Sequence, residues 1–260
     1  MNGDGLYFGK PMNQYIIITH AVLIGLTPLI PIPFLDDLVK SFFYKRFVRS
    51  LATRHKLSLS ADEINTLAED RNRVGIRGCL FGLIEYIVKR LIRKLIIVLE
   101  WHRAIDTVTQ AFYAGYLMDY AFQQGWYTPG APQQAMGLRS AIDTARKGAN
   151  INLVRNIVKS SFNQRRGLVL DAVRQISGSL KDIAFRRRRL WFRRRKQTAP
   201  VEEAVAEKLE GESVKVRGTL SKLISTLQEY LGILMEEHKE HFEELQERLR
   251  AALQPAQRPG

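Results

Sequence analysis

The segment IIITHAVLIGLTPLIPIPFLDD, residues 16–37, decides how the chain is read. It opens as an uninterrupted apolar run, meets Pro28, Pro31 and Pro33 in quick succession, and closes on Asp36 and Asp37 before a second amphipathic segment begins. Proline lacks the backbone donor a helix needs and disfavours helical geometry in the residue before it, so the run stops or bends at Thr27. As a helix, Tyr15 to Thr27 is about 20 Å long, short of the roughly 30 Å of a bilayer core. The expectation is a helical hairpin, buried in protein or embedded in a membrane, in place of a single span.

Outward from that hairpin the pattern stays helical. Leu35, Leu38, Val39, Phe42 and Phe43 fall at core spacing, with Lys45 and Arg49 turned elsewhere. Asp36 and Asp37 suit the positive end of the helix dipole and need no catalytic role. Ser60 and Glu63 form a capping box that starts a short helix. Gly75, Gly78 and Gly82 have the wrong spacing for a dinucleotide fingerprint, and Gly78 with Gly82 reads as a close-packing pair. Leu80–Trp101 is a second apolar run, but Lys89, Arg90, Arg93 and Lys94 lie on one stripe of it. Each would cost about 2.5–3.5 kcal/mol at a bilayer centre, which leaves an interfacial helix or a core helix with a wet ridge. Ala104–Trp126 carries Asp106 and Asp119 among aromatic and small residues, and the ridge is their expected partner. Gly125 and Thr128–Pro132 close this first unit.

TPLIPIPFLDDLVKSFFYKRFVRSLATRHKLSLS, followed by AIDTVTQAFYAGYLMDYAF, resembles the YcjF-like, GTPase-associated domain of unknown function. That family shows a SPIPxxD opening, an R-x-L-A box and a later helix of the form VTxxxxxGxxxxxYF. The matching residues are Thr27, Pro28, Pro31, Pro33, Asp36, Arg49, Leu51, Ala52, Val108, Thr109, Gly115 and Tyr120, within residues 15–125. The resemblance implies an all-helical, bacterial, membrane-associated protein. Some members are fused to GTPase domains; this chain has no P-loop, so the implied GTPase acts in trans.

Charge is unevenly distributed. Residues 1–138 carry 15 Lys+Arg against 11 Asp+Glu, residues 139–196 carry 17 against 3, and residues 197–260 carry 8 against 12. The middle block therefore supplies an excess equal to the whole net charge of +14, and an anionic partner should meet it. Ile142, Ala145, Val154, Ile157 and Val158 recur at helical spacing there, with Arg139, Arg146, Lys147, Arg155 and Lys159 between them. A following helix through Leu168, Leu170, Val173, Ile176, Leu180 and Ile183 leads into FRRRRLWFRRRK, residues 185–196. Arg186, Arg187, Arg188, Arg189, Arg193, Arg194, Arg195 and Lys196 flank Leu190, Trp191 and Phe192. Three readings compete. Clustered cations with aromatic anchors suit the anionic cytoplasmic leaflet. Arginine and a stacking Trp also suit nucleic acid. A solvated linker, or one paired with the acidic tail, is the plain alternative.

Beyond Thr198–Pro200 the charge reverses, and a long amphipathic helix is expected from Thr219 to Leu253. Its seam, Leu220, Ile224, Leu227, Leu231, Leu234, His238, His241 and Leu245, steps by four and three as a coiled coil does. Self-association through residues 219–253 and docking on the chain's own basic helices both follow from that seam. Protonating its two histidines below about pH 6 would weaken either. One helix supplies too few ligands for a metal centre there.

The expected architecture is all-α: a compact helical core over 1–132, a basic helical segment over 133–197, and an acidic amphipathic tail over 198–260. The lone Cys79 suits a reducing compartment, and no secretory leader is expected. No G-x-S-x-G, H-E-x-x-H or C-x-x-C is present, and His20, His55 and His102 are scattered. The functional expectation is a non-enzymatic, cofactor-free interaction or scaffold protein at the cytoplasmic face of a membrane, the inner membrane in a bacterium. It would bind the anionic surface through its helical core and Arg-rich block, with a helical protein partner, a GTPase in trans or a second copy of itself. The alternatives are a nucleic-acid-binding protein or a soluble coiled-coil adaptor.

Overall fold

The computed structural model describes the backbone of residues 11–31, 36–69, 85–191 and 199–253, and the side chains of 13–31, 37–69, 98–181 and 203–253. The described residues form nine α-helices and no strand: α1 (Pro11–Gly25), α2 (Asp36–Arg54), α3 (Ala61–Ala68), α4 (Glu85–Gln123), α5 (Pro132–Lys147), α6 (Asn152–Gln164), α7 (Arg166–Trp191), α8 (Ala199–Glu237) and α9 (Lys239–Leu253). A 3-10 turn, Thr27–Leu29, follows α1. The protein is all-α.

The apolar run of the opening segment becomes the central helix. Every residue from Ile17 to Thr27 is buried, because α1 packs against α2, α4 and α8. A helix that is apolar all round belongs inside a core, and here protein alone supplies the surroundings. Of the two hairpin environments expected from sequence, burial in protein accounts for Ile17–Thr27. The run stops where Pro28 predicts: Leu26 is a turn residue, and the Thr27 hydroxyl donates to the Ile24 carbonyl at 2.7 Å.

Helix α4 lies antiparallel to α1, with Asn13 against Asp119 at one end and Gly25 against Ala104 and Val108 at the other. Close approach depends on missing side chains. A Cβ at Gly25 would fall 2.1 Å from Val108 Cγ2, and one at Gly115 would fall 2.1 Å from Phe47 Cζ. Gly78 and Gly82, the close-packing pair expected from sequence, lie outside the described residues, as does Gly75.

Two segments read separately in the sequence, Leu80–Trp101 and Ala104–Trp126, share one helix of 39 residues, about 58 Å long. It ends as Gly125 predicts. That residue adopts φ +67°, and the Trp126 amide donates to the Ala121 carbonyl at 3.0 Å, a Schellman closure. The Ser60–Glu63 capping box is also present, with the Ser60 amide donating to Glu63 Oε2 at 2.8 Å.

Helix α6 runs antiparallel to α4 on another face, joined by Arg155–Asp106 and by the Trp101 indole donating to Asn163 at 2.9 Å. α7 and α8 form an antiparallel hairpin in which Gln175 and Thr219 share hydrogen bonds at 2.9 and 3.2 Å. α8 also touches α1, α2 and α6.

The tail differs from its expected form. It is two helices, with His238 as the turn between them. Leu220, Ile224, Leu227, Leu231, Leu234 and Leu245 are all buried within the chain, so the coiled-coil-like seam is covered by the chain's own helices. His238 is exposed, and Phe242 takes the core position near which the heptad placed His241. Phe242 packs against Tyr113 and Tyr116 of α4.

Candidate interaction surfaces

The basic block must be divided before it can be assigned a partner. Arg139 is only 2% exposed and donates to the Leu67 carbonyl at 3.2 Å, with Asp143 as its counter-ion. Arg146 is also buried; it donates to the Gln110 carbonyl at 3.0 Å and shares the same Asp143. The sequence reading set both between the core positions, whereas one internal carboxylate lets both enter the core. Arg155 pairs with Asp106, Arg174 with Asp171, and the Arg166 guanidinium lies over the Trp101 ring. Much of the block before residue 181 is therefore structural charge.

What remains is the arginine run. No acidic residue lies between Asp182 and Glu202, so beyond Arg186, which is spaced i,i+4 from Asp182, the cations of residues 187–196 have no acid among them in the sequence. Arg186, Arg187, Arg188, Arg189 and Trp191 occupy the last turns of α7. Phe192, Arg193, Arg194, Arg195 and Lys196 lie outside the described residues.

Lys89, Arg90, Arg93 and Lys94 fall in the N-terminal part of α4, and their side chains lie outside the described set. Just beyond them Val98 and Leu99 are 52% and 59% exposed. Trp101, two residues further, is buried against Phe162. Among the described side chains α4 thus enters the core at Trp101, a boundary that composition alone could not locate.

The ridge is not the partner of the α4 carboxylates. One straight helix puts Lys94 about 38 Å from Asp119 along its axis, too far for any side-chain contact. Asp119 is 5% exposed; it accepts from His55 Nε2 at 2.7 Å and from Asn13 Nδ2 at 3.2 Å, while Arg54 donates to Asn13 Oδ1. Asp106 belongs to Arg155. This polar cluster joins α1, α2 and α4, and histidine spacing along the sequence gave no sign of it.

Other titratable groups serve packing. Glu63 is buried, which opposes its charge. The Tyr127 hydroxyl and the Ser60 and Gly130 amides, with the Ser60 side chain, outweigh that cost and bring its pKa down to about 2. Burial lowers His20 to about 4, against a hydrogen bond to the Ile16 carbonyl that favours the charged form, with Arg217 and Arg46 adding repulsion. Because that carbonyl only accepts, His20 Nδ1 carries the proton and Nε2 accepts from the Ser50 hydroxyl at 3.2 Å. Burial also lowers His241, whose Nε2 lies 3.1 Å from the Tyr113 hydroxyl. Among the described residues no three His, Cys, Asp or Glu side chains converge as metal ligands. Among the same residues no helix is long and apolar enough to cross a membrane.

Comparison with family models, with curated proteins and with solved structures finds no match to this chain.

Proposed function

We propose that the protein is a non-enzymatic interaction or scaffold protein that attaches peripherally to the anionic cytoplasmic face of a membrane. The observation that carries this reading is the composition of residues 185–196, eight cations around Leu190, Trp191 and Phe192 with no acid among them. Cations close to an anionic leaflet contribute about 1 kcal/mol each, and Trp and Phe anchor at headgroup depth. The exposed Val98 and Leu99 beside the α4 ridge support a second point of contact, an apolar edge with basic residues next to it. With α1 buried, the α4 ridge is the part of the N-terminal core that this reading sets against the surface. The resemblance of residues 15–125 to a helical, membrane-associated family points the same way.

The test is flotation of the full chain with phosphatidylserine vesicles across a salt series. Reversing three cations, Arg193→Glu, Arg194→Glu and Arg195→Glu, should lower the partition coefficient roughly 100-fold or more, at about 1 kcal/mol per cation. Leu99→Glu should weaken binding in a way that salt does not mimic. Unchanged flotation of the triple variant, with retention on single-stranded nucleic acid that the triple variant loses, would transfer the run to the nucleic-acid reading.

A further inference from the structure

Helices α2 and α8 do not close on one another along their whole length. Between them lies an open groove of about 460 Å³, with Leu38 and Phe42 as apolar lining. Its charges are segregated by wall: α2 contributes Lys45 and Arg49, and α8 contributes Glu203 and Glu207. The groove is tied at one point by the Arg46–Glu210 ion pair. Among the described residues none of the four wall charges makes a hydrogen bond or ion pair.

Each wall pair is spaced i,i+4, so its like charges sit on one helical face about 6 Å apart and repel. Repulsion of that kind is relieved by an opposite charge set between the two. An anion satisfies the α2 wall and is repelled by α8; a cation does the reverse. A ligand carrying both charges satisfies both. The volume falls within the 300–1,000 Å³ range, roughly, of small-molecule sites and leaves no room for a partner helix about 10 Å across. Among the described residues Phe42 is the one aromatic ring lining the groove, and one ring does not make the aromatic cage that a quaternary ammonium takes. A primary ammonium, which donates hydrogen bonds to carboxylates, suits Glu203 and Glu207 better.

We infer that this groove binds a single zwitterionic phospholipid of the ethanolamine type. Its phosphate sits between Lys45 and Arg49, its ammonium between Glu203 and Glu207, and the start of its acyl chains lies on Leu38 and Phe42. The site is separate from the arginine run and does not depend on an anionic surface.

Calorimetric titration of the full chain with dihexanoylphosphatidylethanolamine, kept below its micelle concentration, tests the assignment. Saturable one-to-one binding is expected, with the choline and glycerol headgroup analogues weaker by roughly tenfold or more, the equivalent of one lost charge-assisted contact. Lys45→Glu and Glu207→Lys should each lose binding by a similar factor. Exchanging all four wall charges, Lys45→Glu and Arg49→Glu with Glu203→Lys and Glu207→Lys, restores a bipolar groove of reversed polarity and should recover it. No saturable binding, equal affinity for the glycerol analogue, or a four-charge exchange no better than either single variant would overturn the proposal. Arg193→Glu with Arg194→Glu and Arg195→Glu should leave this titration unchanged, and the four-charge exchange should leave vesicle flotation unchanged. The groove and the membrane reading therefore fail separately.

Discussion

His55 Nε2 lies 2.7 Å from Asp119 Oδ1, and this contact between residues 64 apart fastens the end of α2 to the last turns of α4. Asn13 of α1 completes the set by donating to the same carboxylate. Three helices are thus held in register by one buried acid, at the end of the bundle opposite the point where Gly25 meets Val108.

Asp119→Asn should therefore destabilise the fold substantially. Hydrogen bonds to a charged group contribute about 1.5–3 kcal/mol, so the loss should be about 2–3 kcal/mol, lowering Tm by roughly 5–10 °C. Chemical denaturation and thermal melting measure it. Lys94→Gln, which removes a ridge cation, should stay within about 0.5 kcal/mol. An equal loss in both variants would return Asp119 to the ridge.

Glu63 makes a pH prediction. Its folded pKa is depressed, so its contribution is complete above the ordinary carboxylate value of 4.5 and is lost as pH falls toward about 2. Glu63→Gln should cost about 2–3 kcal/mol at neutral pH and should flatten the acid limb of the stability curve. Tyr127→Phe should reproduce part of both effects. Parallel acid limbs in wild type and Glu63→Gln would contradict the assignment.

His20 titrates in a different window. Held neutral by burial, it takes up its proton at about pH 4 when folded and at 6.5 when unfolded. The unfolded state thus binds more protons between those values, and stability falls as pH drops through them, by roughly 3 kcal/mol at most. Burial of His241 beside Tyr113 acts in the same direction. The difference in unfolding free energy between pH 7 and pH 4.5 should shrink in His20→Gln, as urea titrations at the two values will show.

Removing residues 198–260 should not yield a tighter lipid binder, as masking by a detachable tail would require. Leu220, Leu223, Ile224, Leu227 and Leu231 are at most 2% exposed. Burying each contributes about 1.5–3 kcal/mol, so together they match the roughly 5–15 kcal/mol that separates a folded domain from its unfolded chain. The truncated chain should lose cooperative melting and aggregate. A soluble, cooperatively folded 1–197 fragment would contradict this.

Local rules carried the sequence reading far. The proline stop after α1, the Ser60 cap, the Gly125 closure and the all-α class follow from backbone chemistry a few residues wide, and all are present. What depends on distant partners did not follow. Arg139 and Arg146 look like surface cations until Asp143 is set beside them in the core. The break at His238 interrupts a heptad pattern that is continuous on paper, because Phe242 has to reach the aromatic group around Tyr113. The fusion of two apolar runs into α4 was hidden by its charged stripe, and with it the separation of Asp119 from the ridge. The site residues named from sequence were chosen by composition, and composition says nothing of where Val98 and Leu99 leave the core.

Gln14 at the start of α1 donates to Met235 near the end of α8, across 221 residues. During synthesis at about 5–20 residues per second, the greasiest helix of the chain leaves the ribosome some 10–45 s before the strut that roofs it exists. For that interval α1 has only α2 and then α4 to cover it, and the face that α8 will take stays open. That open face is where the nascent chain is exposed to aggregation until α8 has been made.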